Sequence, residues 1–117
     1  MKVKGTGAER VEALLAESLL ATYSPAPGAF ERGVVACTGN EFCRFAIVET
    51  KARAATWARE LDRRLGPDEA GDGIVRMHFS GCPASCAQPQ IADIGFRGET
   101  AKTRDALVEG VLWHYRR

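Results

Sequence analysis

Four cysteines are the residues of this chain best suited to chemistry, and they fall into two pairs. Cys37 and Cys43 have the pattern C-x5-C, and Cys82 and Cys86 have the pattern C-x3-C. Cysteine thiolates bind zinc and iron–sulfur clusters, and a 4Fe-4S cluster is held by four of them. The two pairs therefore predict a four-thiolate metal centre, provided that the fold brings them together.

Three other interpretations remain open on spacing alone. A structural zinc site also uses four cysteines, although C-x5-C is longer than the usual zinc spacing. Two disulfides would need an oxidising compartment, which nothing in the sequence indicates. Four unrelated core cysteines would not be expected to pair at strand ends beside glycines. The spacing favours the cluster over these three.

Each cysteine pair follows a segment with the pattern of a strand. Residues 33–37 are short, apolar and β-branched, and residues 74–80 alternate in polarity. Residues 91–96 and 107–115 have the composition of two further strands. With the helices described next, this order predicts an α+β fold, a small mixed β-sheet with helices packed on it.

Two segments have the apolar period of helices. Residues 8–22 have apolar side chains at three- and four-residue steps, and the proline- and glycine-rich segment 24–28 ends that pattern. A longer helix is predicted from about residue 41 to residue 65, where Gly66 and Pro67 stop it. The order of elements places each cysteine pair between a strand and a following helix or turn.

That placement suggests how the thiolates are stabilised. Backbone N–H groups at a helix N-terminus lack partners and favour negative charge. We expect Thr38–Asn40 to turn the chain so that Cys43 starts the long helix. A helical turn beginning at Pro83 would aim Cys82 and Cys86 at one point, because residues four apart share a helix face.

Length and composition limit what the chain can be. Its 117 residues fit one domain, 1–117, in which 1–30 is a helical lead-in and linker. Sixteen basic and fifteen acidic residues give a net charge of +1, so we expect no nucleic-acid partner and no membrane partner. No secretory signal or long apolar run is present, which predicts a cytoplasmic protein.

The sequence motifs around the cysteines resemble those of one family. ACTGNEFCRFAIVETKARA, residues 36–54, and HFSGCPASCAQPQIADIGFRG, residues 78–98, are similar to the half of the siroheme-dependent nitrite/sulfite reductases that holds a 4Fe-4S cluster. In that family the motifs are C-T/S-G-x-x-x-C-x5-E-T-K/R and G-C-P-N-x-C-x-Q/R-x-Q-x-A-D-I-G-x-x-G. The resemblance covers roughly residues 12–110, and its two motifs are specific.

The resemblance implies cofactors and roles. All four cysteines, Cys37, Cys43, Cys82 and Cys86, would ligate the 4Fe-4S cluster. Cys86 would also bridge one cluster iron to the iron of siroheme, where nitrite or sulfite undergoes six-electron reduction. Arg44 and Arg97 are the candidates for contacting siroheme, a ferredoxin-like protein is the implied electron donor, and no side chain is assigned a catalytic role.

The chain also departs from the family. The family's Asn between the proline and the last cysteine, which helps to hold siroheme, is Ala84 here. Family members are several times longer, so we expect an oxidoreductase module that needs the missing reductase half. That half would come from a second subunit or a second copy of this chain. The alternative is a free-standing 4Fe-4S electron-transfer or binding protein without siroheme.

Overall fold

The computed structural model describes residues 7–70, 73–102 and 107–116. In chain order, its elements are α1 (Ala8–Leu15), α2 (Leu19–Thr22), α3 (Ala29–Gly33), β1 (Val34–Ala36), α4 (Lys51–Ala70), β2 (Met77–Ser80), a 3-10 turn (Pro89–Ile91), β3 (Ile94–Lys102) and β4 (Leu107–Arg116). Within those three ranges, no helix has both the length and the apolar character needed to cross a membrane.

The strands form one mixed sheet in the order β1-β2-β3-β4. β1 and β2 are parallel, β2 and β3 are parallel, and β3 and β4 are antiparallel. The predicted α+β fold with a small mixed sheet is confirmed. Because the carboxyl ends of parallel neighbours meet at one edge, the segments that follow β1 and β2 leave the sheet side by side. Those segments carry the two cysteine pairs.

The core lies between the sheet and the helices α3 and α4. Its buried members are apolar residues of both layers: Ala29, Phe30, Ala54, Ala58, Met77 and Phe79. Phe79 stacks on Phe96 with ring centroids 4.4 Å apart, and Trp57 meets both rings edge-on at 5.6 and 5.2 Å. Aromatic contacts of this geometry add to the free energy of apolar burial, so they fix the helix on the sheet.

The long helix begins later than the sequence predicted. Residues 41–50 form turns, and α4 starts at Lys51. The carboxylate of Glu49 accepts the N–H groups of Ala52 (2.9 Å) and Arg53 (3.1 Å), which caps the first turn. Burial opposes ionisation of Glu49, but these backbone N–H groups outweigh it and lower the pKa of the carboxyl. At Gly66 the backbone leaves the helical conformation (φ 63°), as predicted.

Other boundaries also differ. The predicted helix 8–22 is two short helices, since the helical conformation is interrupted between Leu15 and Leu19. The strand predicted as buried at 33–37 lies at the sheet edge, where Val35 is 44% exposed. The strand predicted over 74–80 is confined to β2, whose four residues are all buried, because β2 lies between two strands with α4 on it.

The start of α3 is held by a side chain of α4. The carboxylate of Asp62 accepts the N–H groups of Phe30 (3.0 Å) and Glu31 (2.9 Å). Gly28 makes room for it, since a Cβ at that position would lie 2.2 Å from the Asp62 carboxyl carbon. This cap connects the segment before β1 to the helix that covers the sheet.

Replacing Asp62 with Ala should lower the free energy of unfolding by about 1–3 kcal/mol, because two N–H groups lose a charged acceptor. Asp62→Asn keeps one acceptor oxygen and should cost less. Urea denaturation of the three proteins measures the difference. Equal stability of the Ala variant and the parent would contradict this assignment of the cap.

A second link joins the starts of β2 and β3. Asp93 accepts the N–H of Arg76 (2.8 Å) and pairs with its guanidinium (2.9 Å). The side-chain hydrogen bond from Arg76, followed by its backbone N–H, lowers the pKa of Asp93 from 3.8 to about 2. The carboxylate is therefore stabilised in the folded chain.

Because the folded pKa of Asp93 is depressed, its contribution to stability is complete above pH 3.8 and disappears as the pH falls toward about 2. Asp93→Asn should lower the thermal midpoint at about pH 6 and have little effect near pH 2. Thermal unfolding followed by circular dichroism across this range tests it. A difference that stays constant with pH would show that the carboxylate charge is not the cause.

Candidate metal centre

All four cysteines line one small cavity at the carboxyl edge of the parallel strands. The cavity has a volume of about 60 Å³, and its walls are Cys37, Thr38, Cys43, Ala46, Ser80, Gly81, Cys82 and Cys86. All four cysteines are free thiols. The fold thus brings together the residues predicted to bind metal, and it does not pair them as disulfides.

The first pair converges through a tight turn at the predicted place. Gly39 has a left-handed backbone (φ 73°), and the N–H of Cys43 donates to its carbonyl at 2.9 Å. A Cβ on Gly39 would also lie 2.8 Å from the Thr50 hydroxyl oxygen. Glycine is therefore required here both for conformation and for space.

The second pair is placed by turns, and the predicted helical turn from Pro83 is wrong. Ser85 has a left-handed backbone (φ 59°), which a right-handed helical turn cannot contain. Its N–H donates to the carbonyl of Cys82 at 3.3 Å, and the N–H of Gln88 donates to the carbonyl of Ser85 at 2.8 Å. Two successive turns therefore carry the chain from Cys82 past Cys86.

Gly81 connects the two cysteine loops. Its carbonyl accepts the N–H groups of Ile47 (2.7 Å) and Val48 (3.2 Å) from the first loop. Its own N–H donates to the Cys37 sulfur at 3.1 Å. A Cβ on Gly81 would lie 3.0 Å from the Val48 carbonyl oxygen, so the loops approach closely only because the side chain is absent.

The donor to sulfur therefore comes from loop backbone. Helix N-termini were predicted to supply it, but α4 begins at Lys51, well past Cys43. A backbone N–H that points at a sulfur stabilises its thiolate form and suits an anionic cluster. Together with the four converging thiols, this donor set fits a thiolate-bound iron–sulfur cluster.

Exposure distinguishes Cys86 from the other cysteines. Cys37, Cys43 and Cys82 are partly buried, whereas Cys86 is exposed. Ala84, in the same loop, is exposed as well. Cys86 therefore lines the cavity and is also exposed at the surface.

The two arginines are placed apart from the cavity walls. Arg44 is exposed, and its guanidinium lies over the Phe45 ring, 5.5 Å from the centroid. Arg97 on β3 forms an ion pair with Glu99, with the two joined by an Nε–Oε1 hydrogen bond of 2.9 Å. Neither side chain lines the cavity, and their contact with siroheme remains a prediction.

Sequence reasoning did not assign the hydroxyls that support the site. Thr50 is fully buried and donates from Oγ1 to the Cys37 carbonyl at 2.7 Å. Ser80 is buried and accepts the N–H of Ala87 at 3.0 Å. The available signal was position, because Ser80 ends a strand before a cysteine and Thr50 follows an apolar segment. A hydroxyl in such surroundings needs a partner.

A mixed sheet with four thiols at the end of its parallel strands has the layout of a domain that binds metal through thiolates. The family model for the nitrite and sulphite reductase 4Fe-4S domain matches residues 28–109. The chain belongs to this family. Its membership supports the predicted 4Fe-4S cluster.

Individual relatives agree. The chain is 52% identical over 102 residues to the chloroplastic ferredoxin–nitrite reductase of Zea mays. The matched region covers 86% of this chain and 17% of that protein. It is 47% identical over 98 residues to ferredoxin–nitrite reductase of Synechococcus elongatus, covering 84% of this chain and 18% of that protein. The chain therefore spans less than a fifth of the length of these relatives.

A solved structure shows the same fold. The Mycobacterium tuberculosis NirA protein matches with a TM-score of 0.76 and 31% identity, over 93% of this chain and 20% of that one. The agreement covers nearly the whole chain. It supports the sheet and loop arrangement described above.

Replacing Thr50 with Val should lower the free energy of unfolding by about 1–3 kcal/mol, because the part-buried Cys37 carbonyl loses this donor. Thr56→Val, on the exposed face of α4, is the matched control and should change stability by less than about 0.5 kcal/mol. Urea denaturation measures both. Similar values for the two variants would exclude a special role for the Thr50 hydroxyl.

Proposed function

We propose that Cys37, Cys43, Cys82 and Cys86 hold a 4Fe-4S cluster that passes electrons to siroheme for the six-electron reduction of nitrite or sulfite. The observation that carries this proposal is the convergence of all four thiols on one cavity, in a chain that belongs to the nitrite and sulphite reductase 4Fe-4S family. When bound, the cluster supplies electrons one at a time.

The chain's own residues would bind the iron of the cluster and orient the cysteine ligands. The four thiolates hold iron, and the Gly81 N–H stabilises negative charge on the Cys37 sulfur. Thr50 fixes the Cys37 carbonyl and so limits the ways in which this ligand can turn. The exposed Cys86 is the thiolate available to a second iron, that of siroheme, at the surface of the domain.

The partners follow from the relatives. Those from Zea mays and Synechococcus elongatus are named ferredoxin–nitrite reductases, which supports a ferredoxin donor and favours nitrite over sulfite. Because the chain spans less than a fifth of them, the rest of the siroheme and substrate site would lie outside this segment. A further polypeptide segment, a second subunit or a second copy would supply it.

Two finer assignments belong with this proposal. Arg44 and Arg97 would contact the carboxylates of siroheme, for which a guanidinium is the matching group. We also propose a cytoplasmic location in its host, although the Zea mays relative is chloroplastic. Both the arginine contacts and the location remain predictions.

Anaerobically purified chain should contain about four irons and four acid-labile sulfides, the content of one cubane with four thiolate ligands. A broad brown absorption would accompany them, and siroheme bands would appear when the rest of the reductase is supplied. Cys86→Ser should lower the iron content, whereas the matched loop variant Ala84→Asn should retain it because it changes no ligand.

Two outcomes would contradict the proposal. Iron-free protein that contains zinc after anaerobic handling would remove the redox function. Full iron content with no siroheme bands in the assembled enzyme would leave the alternative, a 4Fe-4S electron-transfer protein without siroheme.

A further inference from the structure

Two side chains of β2 hold the backbone of Ala87, the residue directly after Cys86. Ser80 Oγ accepts the N–H of Ala87 at 3.0 Å. His78 Nδ1 lies 2.8 Å from the carbonyl oxygen of the same residue and 3.2 Å from that of Gln88. The backbone N–H and the carbonyl oxygen of Ala87 are therefore both hydrogen-bonded to side chains of β2.

β2 can bind Ala87 through two side chains because side chains alternate between the two faces of a strand. Residues two apart in a strand point to the same face, so His78 and Ser80 reach the same segment. Both are buried, as is Ala87. Since carbonyl oxygens only accept, Nδ1 of His78 must carry the hydrogen.

The segment is also packed from the neighbouring strand. Gly95 lies opposite His78 in the sheet, and a Cβ there would be 2.1 Å from the Pro89 carbonyl oxygen. The chain that leaves Cys86 therefore rests directly on the backbone of β3. Together the bonds and this contact fix the residues that follow the last cysteine.

We propose that His78 and Ser80 are positioning residues, a clamp on Ala87 that sets the orientation of the Cys86 side chain. Cys86 is the exposed member of the four and the thiolate assigned above to the shared position, so its direction matters for both cofactors. The cofactor half of this inference rests on the proposed function, while the clamp itself is a property of the protein.

Hydrogen exchange of the Ala87 amide in the full chain tests the clamp without any cofactor. Ser80→Ala should speed that exchange by about tenfold, because the N–H loses its buried acceptor. Ser85→Ala is the matched control, since its hydroxyl donates an exposed hydrogen bond within the turn, to the Pro83 carbonyl. It should leave the Ala87 rate unchanged.

Two substitutions of His78 distinguish the loss of the Nδ1 hydrogen bond from a change in side-chain size. The amide nitrogen of Asn can take the place of Nδ1, whereas that of Gln reaches toward the place of Nε2. His78→Asn should therefore keep the Ala87 exchange rate close to that of the parent, and His78→Gln should raise it. Unchanged exchange in both Ser80→Ala and His78→Gln would overturn the clamp.

The cluster-loaded chain tests positioning. The paramagnetically shifted NMR signals of cysteine β-protons depend on the rotation of each side chain relative to iron. Ser80→Ala and His78→Gln should shift the Cys86 signals and leave those of Cys37 in place. A uniform shift at all four cysteines would indicate general loosening and would overturn the positioning role. Chain that takes up no iron would overturn the proposed function, and exchange would still decide the clamp.

Discussion

The parallel pairing of β1 with β2 is the constraint on which the site depends. Its register sets Ala36 opposite Phe79, and the bond from the Cys37 N–H to the Phe79 carbonyl, 2.9 Å long, extends the pairing by one residue. Two cysteine loops far apart in sequence therefore begin at adjacent points. No side chain has to bridge that distance, because backbone pairing fixes it.

Gly81 then joins the two neighbouring cysteine loops through hydrogen bonds. Its peptide meets the Cys37 sulfur on one side and the backbone of Ile47 and Val48 on the other. Gly98 on β3 also approaches it, since a Cβ there would lie 2.5 Å from the Gly81 carbonyl oxygen. Glycine at both positions allows three segments of backbone to crowd one point, which larger residues would separate.

The sequence was most informative where one residue type has one use. The paired cysteines predicted that the four thiols lie together. Gly39 predicted the turn after β1, and Gly66 predicted the end of the helix, because each meets a local backbone requirement. The start of α4 was misplaced because Val48, which is buried in a loop, has the spacing of a helical face. Burial alone does not distinguish the two cases. The roles of Thr50 and Ser80 depend on partners far along the chain, which local patterns do not contain.

The hydrogen bond from Gly81 to the Cys37 sulfur has a consequence for redox tuning. Hydrogen bonds to cluster sulfurs help to set the reduction potential of an iron–sulfur centre. Gly81 belongs to the loop of the second cysteine pair, whereas the sulfur belongs to the first. A partner that shifts the second loop would lengthen or shorten this bond, so docking at the surface around Cys86 would change the affinity of the centre for an electron.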